Sequence, residues 1–324
     1  MTKLFYMGCV SFSLLLMTFI YPTQTFSAEG IKKEKLTVLL DWFVNPDHGP
    51  LFIALENGYF SDLNLEVELI APSDPNDPPK LVAAGQAEIA VSYQPQLYLQ
   101  SAAGLPLKRF GTLISTPLNT LLTLADGPVK SISDLKGRKI GVSVAGFEEA
   151  LLGSMLNKYG LKLSDVTLIN VNFSLSPSLL SGQVDAVMGA YRNFELNQLK
   201  IEGHKGHAFY PEEEGVPPYD ELIFIANTDI TDNKILRLFI DSIEKATQFI
   251  INHPKQSWEI FIKNRPELNN QLNKLAWFDT LPRFALRPAA LDTARYLRFS
   301  KFMRSQDLIK SEINIEEYAI ELVH

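Results

Sequence analysis

Residues 36–40 run Leu-Thr-Val-Leu-Leu without sustained polar alternation, the pattern of a short strand buried on both faces of a parallel sheet. The pattern then breaks. Asp41, Trp42, Asn45, Asp47 and His48 fall in a loop punctuated by Pro46 and Gly49, and Pro50 opens an apolar helix that Gly58 closes. Residues 65–71 alternate like a strand, so 36–71 reads as a βαβ unit. In open α/β sheets ligands bind beyond the carboxyl ends of the strands, where a helix N-terminus offers unpaired N–H groups. The 41–48 loop is therefore a candidate site. The competing reading makes Trp42 a core anchor and Asp41 and Asp47 ordinary turn residues.

Proline-rich residues 72–79 form a loop, Lys80 begins a helix that stops at Gly85, and residues 89–93 (Ile-Ala-Val-Ser-Tyr) make the next strand. Gln94 and Pro95 then mark a helix entrance, so Tyr93 arrives at the same kind of position as Asp41 and Trp42. Residues 102–107 read as a turn, and 118–124 as a strand that crosses to a second unit. A capped helical turn after Ser131, a strand at 139–144, a helix from Ala145 to about Tyr159 and a strand at 166–171 follow. Ser143 and the Ala145–Gly146 turn either present backbone N–H groups to a ligand or serve as a plain connection.

An internal echo then appears. Gly85-Gln-Ala-Glu-Ile-Ala-Val corresponds to Gly182-Gln-Val-Asp-Ala-Val-Met; each follows a short helix and leads to a tyrosine, Tyr93 or Tyr191. Two similarly built lobes facing one another would produce this. The second copy ends in Gly189-Ala-Tyr-Arg-Asn-Phe-Glu, which makes Tyr191, Asn193 and Glu195 candidates to meet Trp42 and Tyr93 across a cleft. Alternatively, Arg192 and Glu195 are solvated residues at a helix start. Residues 222–226 form an apolar return strand, and beyond Asn233 the spacing is helical, with Trp258 and Trp277 assigned to the core. The expected organisation is α/β, with lobe 1 at 34–122 and 225–324 and lobe 2 at 123–224.

Composition narrows the chemistry. Lys3, an apolar run at 10–21 and the small residues Thr25, Ser27 and Ala28 read as a secretory signal over residues 1–28, and the run is short for a bilayer span. The only cysteine, Cys9, precedes that run, so the exported chain would carry none. Disulfides, thiolate catalysis, cysteine-ligated zinc and iron–sulfur clusters are thereby excluded. A formal net charge of −7 argues against nucleic acid as a partner. His204 and His207 lack a third ligand, so no metal is expected. The common nucleotide, hydrolase and protease motifs are absent, which weakens an enzyme reading, and no cofactor is expected.

Residues 39–50 (Leu-Leu-Asp-Trp-Phe-Val-Asn-Pro-Asp-His-Gly-Pro), Gly58-Tyr-Phe, the Gly-Gln-Ala-Glu-Ile-Ala strand and Ser133-Asp-Leu-Lys-Gly-Arg-Lys-Ile-Gly resemble the thiamine-pyrimidine-synthase-like family of periplasmic solute-binding proteins. The resemblance implies a type II periplasmic-binding-protein fold, with two α/β lobes joined by two crossing segments around a ligand cleft. Its pyrimidine site would fall on Asp41, Trp42, Asn45, Tyr93, Tyr191, Asn193 and Glu195, with His48 beside them. An aminopyrimidine, formylaminopyrimidine or hydroxymethylpyrimidine, would stack on Trp42 and a tyrosine while Asp41 or Glu195 accepts from its amino group and protonated ring nitrogen. The implied partners are an ABC permease and its ATPase subunit, and the implied compartment is the periplasm. Riboflavin or a sulfonate- or nitrate-type anion is the alternative cargo, although the loops offer acids and aromatics rather than arginines. The eukaryotic branch of the family is a synthase using pyridoxal phosphate with iron and a cysteine-rich motif; an export signal and a cysteine-free mature chain count against it.

Overall fold

A computed structural model describes residues 1–4, 33–230, 233–311 and 313–322, so most of the expected export signal, with Cys9, lies outside the described residues. Residues Lys33–His324 form one packed unit. Its backbone is organised by two five-stranded sheets of matching order. The first contains β1 (Glu34–Leu39), β2 (Leu65–Ile70), β3 (Ile89–Ser92), β4 (Leu107–Ile114) and β10 (Leu222–Asn227), in the order β2-β1-β3-β10-β4. The second contains β5 (Asn119–Leu124), β6 (Lys139–Val142), β7 (Thr167–Asn170), β8 (Ala186–Tyr191) and β9 (Gly206–Phe209), in the order β7-β6-β8-β5-β9.

In each sheet four strands run in one direction and the fourth in order runs against both of its neighbours. β1 pairs in parallel with β2 and β3, as β6 does with β7 and β8. β10 then runs antiparallel to β3 and β4, as β5 does to β8 and β9. The sequence echo is the primary trace of this symmetry: β3 and β8 occupy the same place in their sheets. The glycines that precede them, Gly85 and Gly182, both adopt positive φ, 70° and 72°, where a residue without Cβ ends a helix most readily.

The helices follow the strands: α1 (Gly49–Glu56), α2 (Tyr59–Asp62), α3 (Pro78–Ala83) and α4 (Gln94–Ala102) among the first strands, α5 (Phe147–Lys158), α6 (Leu175–Leu180) and α7 (Glu195–Ile201) among the second. After β10 come α8 (Asn233–Asn252), α9 (Pro254–Lys263), α10 (Gln271–Thr280), α11 (Thr293–Ser305) and α12 (Ile315–Tyr318). α8 presents Phe239 to Phe60 at a stacked 5.5 Å between centroids and to Phe224 of β10 at 5.2 Å, so it seals one face of the first sheet. Trp258, Phe261 and Trp277 pack together with centroids 5.1 to 6.1 Å apart, in the core as their spacing suggested. Trp277 also lies against Gly49, where an added Cβ would meet its ring at 3.0 Å. α10 thereby supports the turn that follows β1.

Two strands escaped the sequence reading. β9 is short and holds only His207 of the histidine pair. β4 begins Leu-Lys-Arg-Phe, and two charged residues interrupt the apolar run that marks a buried strand. Arg109 is nevertheless fully buried. Its guanidinium donates to the carbonyl of Ile320 at 3.1 Å, to that of Ala290 at 2.5 Å and to Thr112 Oγ1 at 2.8 Å. It stitches the 284–292 loop and the C-terminal segment to the sheet edge, a role only distant chain could reveal. Removing it unpairs part-buried carbonyls and the buried Thr112 hydroxyl, at a cost of up to about 1–3 kcal/mol for a group left without water. Arg109→Ala is expected to lower unfolding stability by at least about 2 kcal/mol in a chemical denaturation series; a loss within error would show these carbonyls to be satisfied otherwise.

Candidate functional site

The ends of the strands converge on one cavity, about 430 Å³ of space free of protein atoms counted to its open mouth. From the first sheet it takes Asp41, Trp42, Asn45 and Asp47, which follow β1, and Tyr93, which follows β3. From the second it takes Asn119 of β5, Val144, Phe147 and Glu148 after β6, Leu175 of α6, Gly189 and Tyr191 of β8, and Phe194 and Glu195 beyond it. Six of the eight residues expected from the sequence therefore line one wall or the other: Asp41, Trp42, Asn45, Tyr93, Tyr191 and Glu195.

The other two stand behind that lining. His48 is fully buried, and its ring is held from both sides: the Asn45 N–H donates to Nδ1 at 3.3 Å, leaving Nε2 to donate to Asp41 Oδ1 at 2.9 Å. The Tyr93 hydroxyl donates to Asp41 Oδ2 at 2.9 Å, so both oxygens of Asp41 are engaged by protein. Asn45 closes the turn by accepting from the Asp47 N–H at 2.8 Å. Asn193 donates to Asp47 Oδ1 at 2.7 Å and to Thr280 Oγ1 at 2.7 Å, and Thr280 donates to the same Asp47 oxygen at 2.7 Å. As placed, His48 and Asn193 orient Asp41 and Asp47 rather than face the cavity.

The Asn193–Asp47 bond also joins segments that follow strands of different sheets. A second bond set does the same. Asn76 accepts from the Ala145 N–H at 2.8 Å and donates to the Ser143 carbonyl at 3.1 Å. The Ser143 N–H goes to Glu148 Oε2 at 2.6 Å, and that of Gly146 to Glu149. These groups are spent within the protein, so the 143–146 turn is not the ligand-facing N–H nest that one reading of the sequence allowed.

Aromatic side chains form the apolar part of the wall. Tyr93 stacks on Phe147 at 4.8 Å and 16°, while Trp42 meets the edge of Phe173 at 4.6 Å. Phe43 extends the cluster to Phe173 and Phe194, at 6.2 and 5.9 Å.

The polar part is acidic. Asp41, Asp47, Glu148 and Glu195 line the cavity, and among the described residues no lysine or arginine does. Burial penalises the charged form, and this pushes Asp47 up to about 6 and Glu195 up to about 7, and Glu148 well above the ordinary carboxyl range. The opposing influences are hydrogen bonds, joined at Asp47 by the neighbouring His48 and led at Glu195 by the Tyr191 N–H at 2.6 Å. Burial likewise raises the phenols of Tyr93 and Tyr191 well above 10, with Asp41 adding to the first and Glu221 to the second. Both remain neutral hydroxyls. Glu221 lies behind this wall, accepting from the Leu118 and Asn119 N–H groups at 2.6 and 2.9 Å, and burial raises it to about 7.

Sequence reading missed Asn119, Phe147, Glu148, Gly189 and Glu221 as site or supporting residues. Asn119 left a signal, being an amide side chain at the start of a strand otherwise made of leucine and threonine, and such residues are seldom fully buried without purpose. Gly189 has two constraints: φ is +99°, and a Cβ would fall 2.3 Å from Glu148 Oε1.

Comparison with known proteins fits this geometry. The fold is that of the periplasmic solute-binding proteins: the alkanesulfonate-binding protein SsuA of Xanthomonas axonopodis pv. citri superposes with a TM-score of 0.70 over 89% of this chain and 99% of its own, at 14% identity. More narrowly, the chain belongs to the NMT1/THI5-like family, whose model matches residues 45–257. A Haemophilus influenzae protein assigned to thiamine biosynthesis is 53% identical, covering 90% of this chain and 93% of its own. The formylaminopyrimidine-binding protein of Halalkalibacterium halodurans is 34% identical, covering 79% and 78%. The 4-amino-5-hydroxymethyl-2-methylpyrimidine phosphate synthase THI13 of Saccharomyces cerevisiae is 25% identical, covering 74% of each chain.

Two outcomes follow from the acidic lining of the cavity. Asp47 and Glu195 bind protons more tightly folded, near 6 and 7, than at their ordinary values of 3.8 and 4.5. Their contribution is full below about pH 4 and is lost as pH rises through 6 to 7, on the order of 2–3 kcal/mol for one such group. Ligand-free protein should therefore resist denaturant better at pH 5.5 than at pH 8, and Glu195→Gln should flatten the difference; a midpoint that rises with pH in the wild type contradicts it. Gly189→Ala should reduce stability by about 1–3 kcal/mol, read from the urea midpoint.

Proposed function

We propose that the chain is the substrate-binding component of an ABC importer, exported to the periplasm, that captures a thiamine pyrimidine precursor, formylaminopyrimidine or hydroxymethylpyrimidine, and hands it to a permease served by an ATPase subunit. It acts as a binder, not a synthase. The observation that carries this reading is a wall that combines flat aromatic rings with buried carboxyls and no lysine or arginine. An aminopyrimidine supplies what such a wall lacks: a π-face for Trp42, and an amino group with a protonated ring nitrogen for Glu195. A sulfonate or nitrate would meet like charge, and pyridoxal phosphate would find no lysine on the wall.

Affinity must come from several sources. Each aromatic contact gives about 0.5–1.5 kcal/mol beyond burial, so stacking alone does not retain a ligand. The Glu195 contact is worth more in a dry site, and lobe closure about the segments joining the two sheets, 115–118 and 210–221, excludes water and creates the shape a permease recognises. Lobe 1, built on the first sheet, would move against lobe 2, built on the second; the boundaries expected at 122/123 and 224/225 fall inside β5 and β10, which belong whole to the second and the first sheet.

The test begins with native mass spectrometry of the purified exported protein, in which a bound aminopyrimidine is the expected mass. Calorimetry follows: Trp42→Ala and Glu195→Gln should each weaken binding about tenfold or more, near ~1.4 kcal/mol. Unchanged affinity in both removes them from the site. Because the free Glu195 titrates near 7, the Glu195–pyrimidine pair must take up a proton above that pH. The affinity should then fall by up to about tenfold per unit from pH 7 to 9, with proton uptake visible across buffers of different ionisation enthalpy. A pH-independent affinity over that range would mean that no proton is shared.

A further inference from the structure

Two buried polar groups on the cavity wall have no partner. Asn119 is fully buried, and its Nδ2 makes no hydrogen bond. Its orientation is nonetheless fixed, since Oδ1 accepts from the Gly189 N–H at 3.1 Å, which leaves the amino group as the free end. The Tyr191 hydroxyl is the second orphan. Asn119 and Tyr191 are directly opposed in the antiparallel pairing of β5 and β8, so their side chains rise from the same face of the sheet as close neighbours. Both line the cavity.

Unpaired buried donors are rare, and each invites an explanation. Their surroundings narrow it. Every other buried polar side chain on this wall is either a carboxyl or already engaged, and Trp42 is only half-buried: Asp41 is held by His48 and Tyr93, Asn45 by the Asp47 N–H, Asp47 by Thr280 and Asn193. The cavity is thus divided into an acceptor side, made of carboxyls, and one corner with an amide N–H₂ and a phenolic O–H. A ligand that fills it presents donors to the first and an acceptor to the second.

We infer that Asn119 and Tyr191 form a specificity subsite that reads a carbonyl oxygen on the substituent of the bound ring. This rests on the aminopyrimidine reading above and sharpens it. A formamide oxygen has two lone pairs and takes one hydrogen bond from each donor. A hydroxymethyl oxygen meets the corner less fully, since its own proton must find an acceptor. A plain methyl leaves both donors dry and unpaired, the condition under which polar sites reject a near-isostere strongly. The preferred cargo is therefore a 4-aminopyrimidine with an acylamino side chain.

Calorimetry on the full exported chain tests this with three rings: 4-amino-5-formylaminomethyl-2-methylpyrimidine, its 5-hydroxymethyl analogue, and 4-amino-2,5-dimethylpyrimidine, which keeps the ring and lacks the acceptor. In the wild type the formyl ligand should bind at least roughly thirtyfold more tightly than the dimethyl ring, with the hydroxymethyl ring between them. In Tyr191→Phe and in Asn119→Leu, that ratio should shrink by about tenfold; taking the ratio within each variant cancels any general loss of affinity. A wild-type ratio below about threefold overturns the subsite, as does a ratio that neither variant changes. If the wild type binds the dimethyl ring and shows no formyl preference, only the subsite falls. If it binds none of the three, the aminopyrimidine reading falls with it.

Discussion

Buried carboxyl groups on a wall without a basic side chain among the described residues are the constraint on which the site depends. Asp41, Asp47, Glu148 and Glu195 share one wall, and burial disfavours the charged form of three of them. The protein compensates from within, using main-chain N–H groups on Glu148 and Glu195 and side-chain donors on Asp41 and Asp47. What it does not supply is a cation. A ligand bearing an amino group and a basic ring nitrogen supplies one, and specificity in such a site follows from what is left unpaired when that ligand is missing.

The fold places these groups with little freedom. Each lies at the end of a strand or in the first turn of the helix after it, where backbone geometry is set by the sheet. A second layer fixes the side chains: Trp277 behind Gly49, Thr280 and Asn193 on Asp47, and His48 on Asp41. Bonds that link the two strand sets, Asn193 to Asp47 and Asn76 to the 143–145 turn, flank the cavity. They couple the shape of the pocket to the relative position of the sheets.

Proteins of this fold bind cargo of opposite character, and the neighbouring alkanesulfonate-binding protein shows that the scaffold does not dictate charge. Function resides in the strand-end loops. Here those loops carry acids and aromatic rings, while the chain's family spans a binding protein and synthases.

The sequence by itself determined the strand-loop-helix units. It also determined their doubling, legible in the repeated Gly-Gln motif, and the polar-aromatic character of the loops after β1, β3 and β8, because local periodicity and turn residues act over a few positions. Only the tertiary structure decided that His48 and Asn193 stand behind the lining and that the 143–146 N–H groups are consumed. It alone brought Glu148 against Gly189 and Asn119 opposite Tyr191. Asn193 meets Asp47 across 146 residues and Ala145 meets Asn76 across 69, and no local pattern records which distant donor will meet a given acceptor; even the short-range pairs His48–Asp41 and Ser143–Glu148, 7 and 5 residues apart, depend on how each turn is packed. β4 was lost for the same reason: Arg109 reads as a surface charge until the carbonyls of Ala290 and Ile320 fold over it.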